Sequence, residues 1–220
     1  KLEPSEISAY VNSLKDTAKY WYATFFPMQS DNLSKEEKLW VDRLNRIGIG
    51  YFRPLVMVII SRRDLSAEQR IDAFKAMERF IFICFRLGYF NATFRSSEYY
   101  RAARSIYLKQ MDISDLVDDI TETTNANIEY AIPNFITKIE NMGGFYDWKS
   151  IKYFLYEYEL HLAQRNNLDK VSWKMFTKTE KDKVSIEHIL PQTPTKYYWR
   201  NQFRQFDDEE IELLSCALGN

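Results

Sequence analysis

The sequence predicts a mainly α protein: a helical bundle over residues 1–168, then a small β-hairpin-plus-helix lobe over residues 169–220. Three observations carry this expectation. Apolar residues recur at three- and four-residue spacing along most of the chain up to residue 166, the period of an amphipathic helix. Glycine and proline number only six each, too few for a turn-rich β-sandwich. After "RNN" (165–167) the helical period gives way to short alternating stretches, the texture of strands.

The first helix follows from Ile7, Tyr10, Val11, Leu14, Ala18, Trp21, Tyr22 and Phe25, one apolar stripe that stops before Pro27. Ser34 with Glu37 three residues on forms a capping box, opening a helix through Leu39, Trp40, Leu44 and Ile47 to Gly48. Pro54 opens the apolar segment "LVMVII", readable as buried helix or strand; its place between helices favours helix. Ser66 and Gln69 form another capping box, followed by Ile71, Phe74, Met77, Ile81, Cys84 and Phe85 and a stop at Gly88. Further helices are expected over about 96–110, 113–122 and 127–140, with a break at "NMGG" (141–144). The next helix places Trp148, Ile151, Leu155, Tyr158 and Leu162 on one face. In the second lobe "VSWKMF" (171–176) and "VSIEHI" (184–189) alternate as strands do, and the latter enters a turn at Pro191. Asp207 or Asp208 caps a last helix through Ile211, Leu214 and Cys216 that stops at Gly219.

Composition excludes several function classes. With 45% hydrophobic and 28% charged residues the chain is not disordered. A formal net charge of −1 excludes a uniformly basic coat, so contact with nucleic acid has to come from a local patch. Two cysteines, Cys84 and Cys216, are too few for a disulfide scaffold or a four-cysteine zinc site and fit a reduced, cytoplasmic setting. No apolar run reaches the length of a membrane span; "RFIFICFRLGYF" is interrupted by Arg86. The chain opens on Lys1 and stops at "ALGN", which reads as a piece of something longer.

One stretch looks chosen for chemistry. "SIEHILPQ" (185–192) holds one of the two histidines, preceded by an acid and followed by a proline turn. A lone histidine between two isoleucines is most often structural. Yet a Glu-His pair delivered by a strand into a turn, followed by a helix and a later Asn, is a layout that sets a metal beside a general base. Imidazole, with an ordinary pKa of about 6.5, can take a proton from water near neutrality. A carboxylate beside it supplies the hard oxygen that a divalent cation prefers.

"SIEHILPQ", Trp199 after it and the closing "LGN" together resemble the C-terminal nuclease domain of GmrSD-type proteins, restriction systems directed at modified or foreign DNA. The resemblance implies an HNH, or His-Me finger, endonuclease with a ββα-metal core, so that residues 169–220 are the beginning of that lobe. It implies His188 as general base, Glu187 as a metal ligand and Asn220 as the residue steadying the loop that bears His188. It further implies Mg²⁺ or Mn²⁺ as cofactor, DNA as substrate and a nucleotide-dependent N-terminal domain in the parent chain. The family continues past this Asn with L-T-L-L and a later Asn or His; the chain stops at Asn220, so the resemblance implies a nuclease and the piece an incomplete one. Residues 1–168 look like the family's linker between sensor and nuclease, a match of texture only. No phosphate-binding glycine motif is present.

Other patterns compete for attention. "KYYWRNQFRQF" (196–206) interleaves Lys196, Arg200 and Arg204 with aromatics, which suits a phosphate backbone and exposed bases, or else a helix packed on its aromatic side. Arg95, Arg101, Arg104 and Lys109 cluster and read best as a solvated face. "DLVDDITE" (115–122) reads as an exposed acidic helix, and His161, four residues after Glu157, as a surface contact. The rivals to the endonuclease are a non-catalytic helical interaction module, with Glu187–His188 a structural pair, and the same core acting on RNA. Dimer contacts are an option for the helical body.

Overall fold

The computed structural model describes residues 3–142, 144, 145, 147–166, 172–174, 190, 191, 194–215 and 217. The chain divides into two compact units, Lys1–Asn134 and Phe135–Asn220.

The first unit is helical throughout its regular elements. Helix α1 (Pro4–Phe25) starts with Pro4 in its first turn and a reciprocal box between Glu3 and Glu6. Helix α2 (Lys35–Ile47) starts on Ser34, whose Oγ accepts the Glu37 N–H while the Glu37 carboxylate accepts the Ser34 N–H. It stops at Gly48, whose φ of +92° only glycine adopts cheaply. "LVMVII" is helical, inside α3 (Arg53–Ser61), and five of its residues are buried. A helix apolar on all sides has to sit in a core. It does: α3 packs against α1 and against α5 (Ser96–Tyr107), while α2 packs against α4 (Ala67–Phe80). Ser66 and Gln69 cap α4 as the sequence predicts.

The α4 periodicity runs on to Gly88, but its last part, Ile81–Leu87, is a π-helix closed by the Gly88 N–H donating to the Ile83 carbonyl at 2.8 Å. Arg86 from that segment donates Nε to the Ile47 carbonyl at 3.0 Å, capping α2. An added Cβ at Gly48 would lie 2.6 Å from the Arg86 guanidinium. The core centres on Phe52, Phe80 and Tyr99, with ring centroids 4.8–5.4 Å apart, and on Leu44, Ile59, Met77 and Ile106.

Expected helices at 113–122 and 127–140 are one: α6 runs from Ile113 to Asn141 with Pro133 inside it. The polar stretch between them stays helical because its side chains satisfy themselves locally. Thr124, buried, donates to the Ile120 carbonyl at 2.7 Å, and Asn127 Nδ2 to the Thr123 carbonyl at 2.7 Å.

In the second unit α7 (Ile151–Asn166) buries Ile151, Tyr153, Tyr156 and Ala163, while Tyr158, expected on the packed face, is exposed. Trp148 is buried edge-on to Phe135. Trp173 and Lys174 are helical, which corrects the strand expected over 171–176 at those positions; the Trp173 ring meets Tyr156 edge-on at 5.0 Å. The second expected strand, 184–189, lies outside the described residues, and no strand occurs among those described. The observed class is therefore mainly α. Two short helices follow, α8 (Tyr197–Gln202) and α9 (Asp208–Ser215).

Candidate functional site

Glu187, His188 and Asn220 lie outside the described residues, so the site is approached from its flank. Leu190, two residues after the histidine, is buried at 3% exposure, and Pro191 follows it half-buried.

Lys196 then caps α8 with extended backbone (φ −72°, ψ 142°), its carbonyl accepting the N–H groups of Trp199 and Arg200 at 3.0 and 3.3 Å. The helix is only six residues long and stops where the Phe203 N–H bonds the Trp199 carbonyl. Tyr198, Trp199, Phe203 and Phe206 form a chain of ring contacts along it. Tyr197 projects at 82% exposure. Lys196, Arg200 and Arg204 are all exposed, and no ion pair engages them among the described residues. Exposed cations beside aromatic rings are available to phosphate.

Asp207 is the residue that caps α9. Its Oδ1 accepts the Glu210 N–H at 2.8 Å, and its own N–H donates to Glu210 Oε2 at 2.9 Å. Between α8 and α9 opens a cleft of about 290 Å³ lined by Pro194, Thr195, Arg200, Asp208, Ile211, Glu212 and Ser215. Of these only Arg200 is among the sequence candidates. Asp208 and Glu212 reach the same cleft because they are one helical turn apart, a spacing legible in "DDEEIE" but absorbed there by the capping role. The lining is amphoteric, with Arg200 of one sign and Asp208 and Glu212 of the other. Among the described residues no group of three or more His, Cys, Asp or Glu side chains is placed to hold a metal ion.

The remaining sequence candidates sort by their partners. Arg95 is tied to Glu98 and, at 3.1 Å, to Asp119, which gives part of "DLVDDITE" a structural role. Lys109 pairs with Asp64 at 3.2 Å. Arg101 and Arg104 are exposed on α5. His161 is exposed on α7. Cys84 is core, its thiol pushed up to about 11 by burial; Cys216 lies outside the described residues. No described helix is long and apolar enough to cross a membrane.

Around the Glu-His-Ile-Leu-Pro letters of the sequence, the described residues supply an exposed basic-aromatic helix and a capped acidic helix. Residues 131–220 match the family model described as GmrSD restriction endonucleases, C-terminal domain, a span that includes the whole second unit. This part of the chain is similar to the C-terminal domain of that family. No curated protein and no solved structure matches the chain.

Proposed function

We propose that residues 169–220 form the beginning of an HNH-type nuclease lobe, carried by residues 1–168 as a helical scaffold, in a cytoplasmic restriction or phage-defence protein that hydrolyses DNA. The observation that carries this reading is the family match over 131–220, within which "SIEHILPQ" falls. His188 takes a proton from water on an imidazole nitrogen as the water oxygen bonds to phosphorus and the bond to the leaving sugar oxygen breaks. Glu187 offers its carboxylate to Mg²⁺ or Mn²⁺, a dication that would neutralise charge on the phosphate and the leaving oxygen. Asn220 steadies the loop that carries His188. Lys196, Arg200 and Arg204 hold the backbone of the substrate. A nucleotide-dependent N-terminal domain is the expected partner in the parent chain.

The test is plasmid nicking by the full parent protein. Supercoiled DNA is expected to be nicked in Mg²⁺ or Mn²⁺ and left intact in excess chelator, with an RNA of equal length uncut. Nicking that persists in chelator removes the metal, and cleavage of the RNA alone removes DNA as substrate. A protein that cuts neither leaves the helical interaction module in its place.

The cations give a separate readout. Arg204→Ala is expected to weaken DNA binding alike for all sequences and to flatten the log affinity–log salt slope by about 0.9, one phosphate contact. Fluorescence anisotropy across a salt series measures it. An unchanged slope takes Arg204 out of the interface.

A further inference from the structure

We propose that helix α1 is a self-association element, its exposed seam pairing with the α1 of a second copy of this chain. The seam consists of Ile7, Val11, Leu14, Ala18, Trp21 and Phe25, which alternate at spacings of four and three residues from end to end. That alternation is the a/d pattern of a coiled-coil seam, in which each side chain seats between four of the facing helix.

Apart from Phe25, whose ring lies 3.8 Å from the Arg53 guanidinium, the seam is not the face that holds α1 to its own body. Thr17 and Tyr20 are half-buried and Ala23 and Thr24 buried, whereas Ile7, Val11, Leu14, Trp21 and Phe25 stand 41–54% exposed. At about 100° per residue the two faces lie roughly 130° apart. The C-terminal end of α1 is pinned. The Thr24 carbonyl accepts Asn45 Nδ2 at 2.9 Å and Arg53 Nη1 at 2.8 Å. Every residue from Glu3 to Asp16, by contrast, is exposed. A stretch that short is marginal as a helix by itself in water and gains most from a partner along its apolar side.

The chemistry of α1 favours a copy of itself over other occupants. The helix carries Glu6, Asp16, Lys15 and Lys19, two charges of each sign, so two copies meet without net repulsion. A lipid surface calls for a polar face rich in Lys and Arg, and a nucleic acid for an excess of positive charge; α1 has neither. With Tyr10 and Tyr22 on its flanks, 63% and 48% exposed, the stripe offers area of the right size. It amounts to on the order of 700 Å² per copy, against the roughly 800 Å² per partner of a standard specific interface. A two-fold pairing uses the same patch on both copies and closes.

Light scattering coupled to size exclusion, with the 220-residue chain at micromolar concentration, tests this. The wild type is expected at twice the 26.3 kDa chain mass. Leu14→Glu and Val11→Glu are each expected to return it to monomer, with the dimer weakened more than tenfold and the circular dichroism of the body kept. Asn12→Glu, on the other side of α1, is expected to leave the dimer intact. A wild type that stays monomeric overturns the proposal. So does a dimer that survives Leu14→Glu, or one that Asn12→Glu dissolves equally well. None of these outcomes depends on whether the protein cuts DNA.

Discussion

His188→Ala is expected to lower the plasmid-nicking rate of the full parent protein by about 10²–10⁴-fold, the contribution of a positioned general base. That corresponds to roughly 3–5 kcal/mol of lost transition-state stabilisation. Water is a poor nucleophile while it keeps both protons, and "SIEHILPQ" supplies the one imidazole that the motif positions. His161, the other, sits exposed on α7 with no such setting. The measurement is the first-order loss of supercoiled plasmid under enzyme excess, with DNA affinity measured in parallel. A rate within threefold of wild type at equal affinity removes the imidazole from the mechanism. A loss of rate that tracks a loss of affinity makes His188 a binding residue instead.

The second large effect is on stability. Glu37→Ala is expected to cost about 3 kcal/mol in urea unfolding of the first unit, the low end for removing one partner of a buried ion pair. Glu37 is 1% exposed and carries two duties. One carboxylate oxygen accepts the Ser34 N–H at 2.7 Å, completing the cap of α2, and the other accepts Arg70 Nε, joining α2 to α4. Arg70 keeps the Arg62 and Leu65 carbonyls at 3.2 and 2.8 Å when Glu37 goes, which is why the cost stays at the low end. Burial pushes the Glu37 carboxyl up, but the Arg70 guanidinium and the Ser34 groups outweigh it and hold the pKa below the usual glutamate value. A carboxylate with a lowered folded-state pKa stabilises above its unfolded pKa. That share is lost as pH falls through the acid range below about 5. The wild type is therefore expected to lose stability there faster than Glu37→Ala. A urea midpoint that shifts by less than the equivalent of about 1 kcal/mol would show the pair to be worth no more than a surface one.

How much of this was legible depends on how local the determining physics is. The capping boxes at Ser34–Glu37, Ser66–Gln69 and Asp207–Glu210 are reciprocal bonds within one turn, and the stop at Gly48 is a backbone conformation of a single residue. Such features are written in four or five letters. The continuity of α6 is not, because Thr and Asn argue for a break until their side chains find carbonyls one turn back. At Trp173 and Lys174 "VSWKMF" misleads for a related reason. Six alternating residues do not separate strand from helix, and the contact of Trp173 with Tyr156 lies outside the window. Periodicity in α1 reports that a face is apolar and is silent on what covers it. At the candidate site the letters of "SIEHILPQ" are legible as a motif, while the shared cleft of Arg200, Asp208 and Glu212 arises only when α8 and α9 are folded side by side. Composition changes near residue 168, whereas contact density divides the chain at Asn134; the two measure different properties.

The seat of Arg86 on the end of α2 ties together two positions far apart in the sequence. Any residue larger than glycine at 48 meets both a left-handed backbone and a guanidinium 2.6 Å from its first carbon. Shortening the side chain at 86 relieves the second fault and leaves the first, while orphaning the Ile47 carbonyl. A side chain at 48 is therefore penalised twice over, by the backbone and by the guanidinium, whereas loss of the guanidinium at 86 is penalised once, by the carbonyl it leaves.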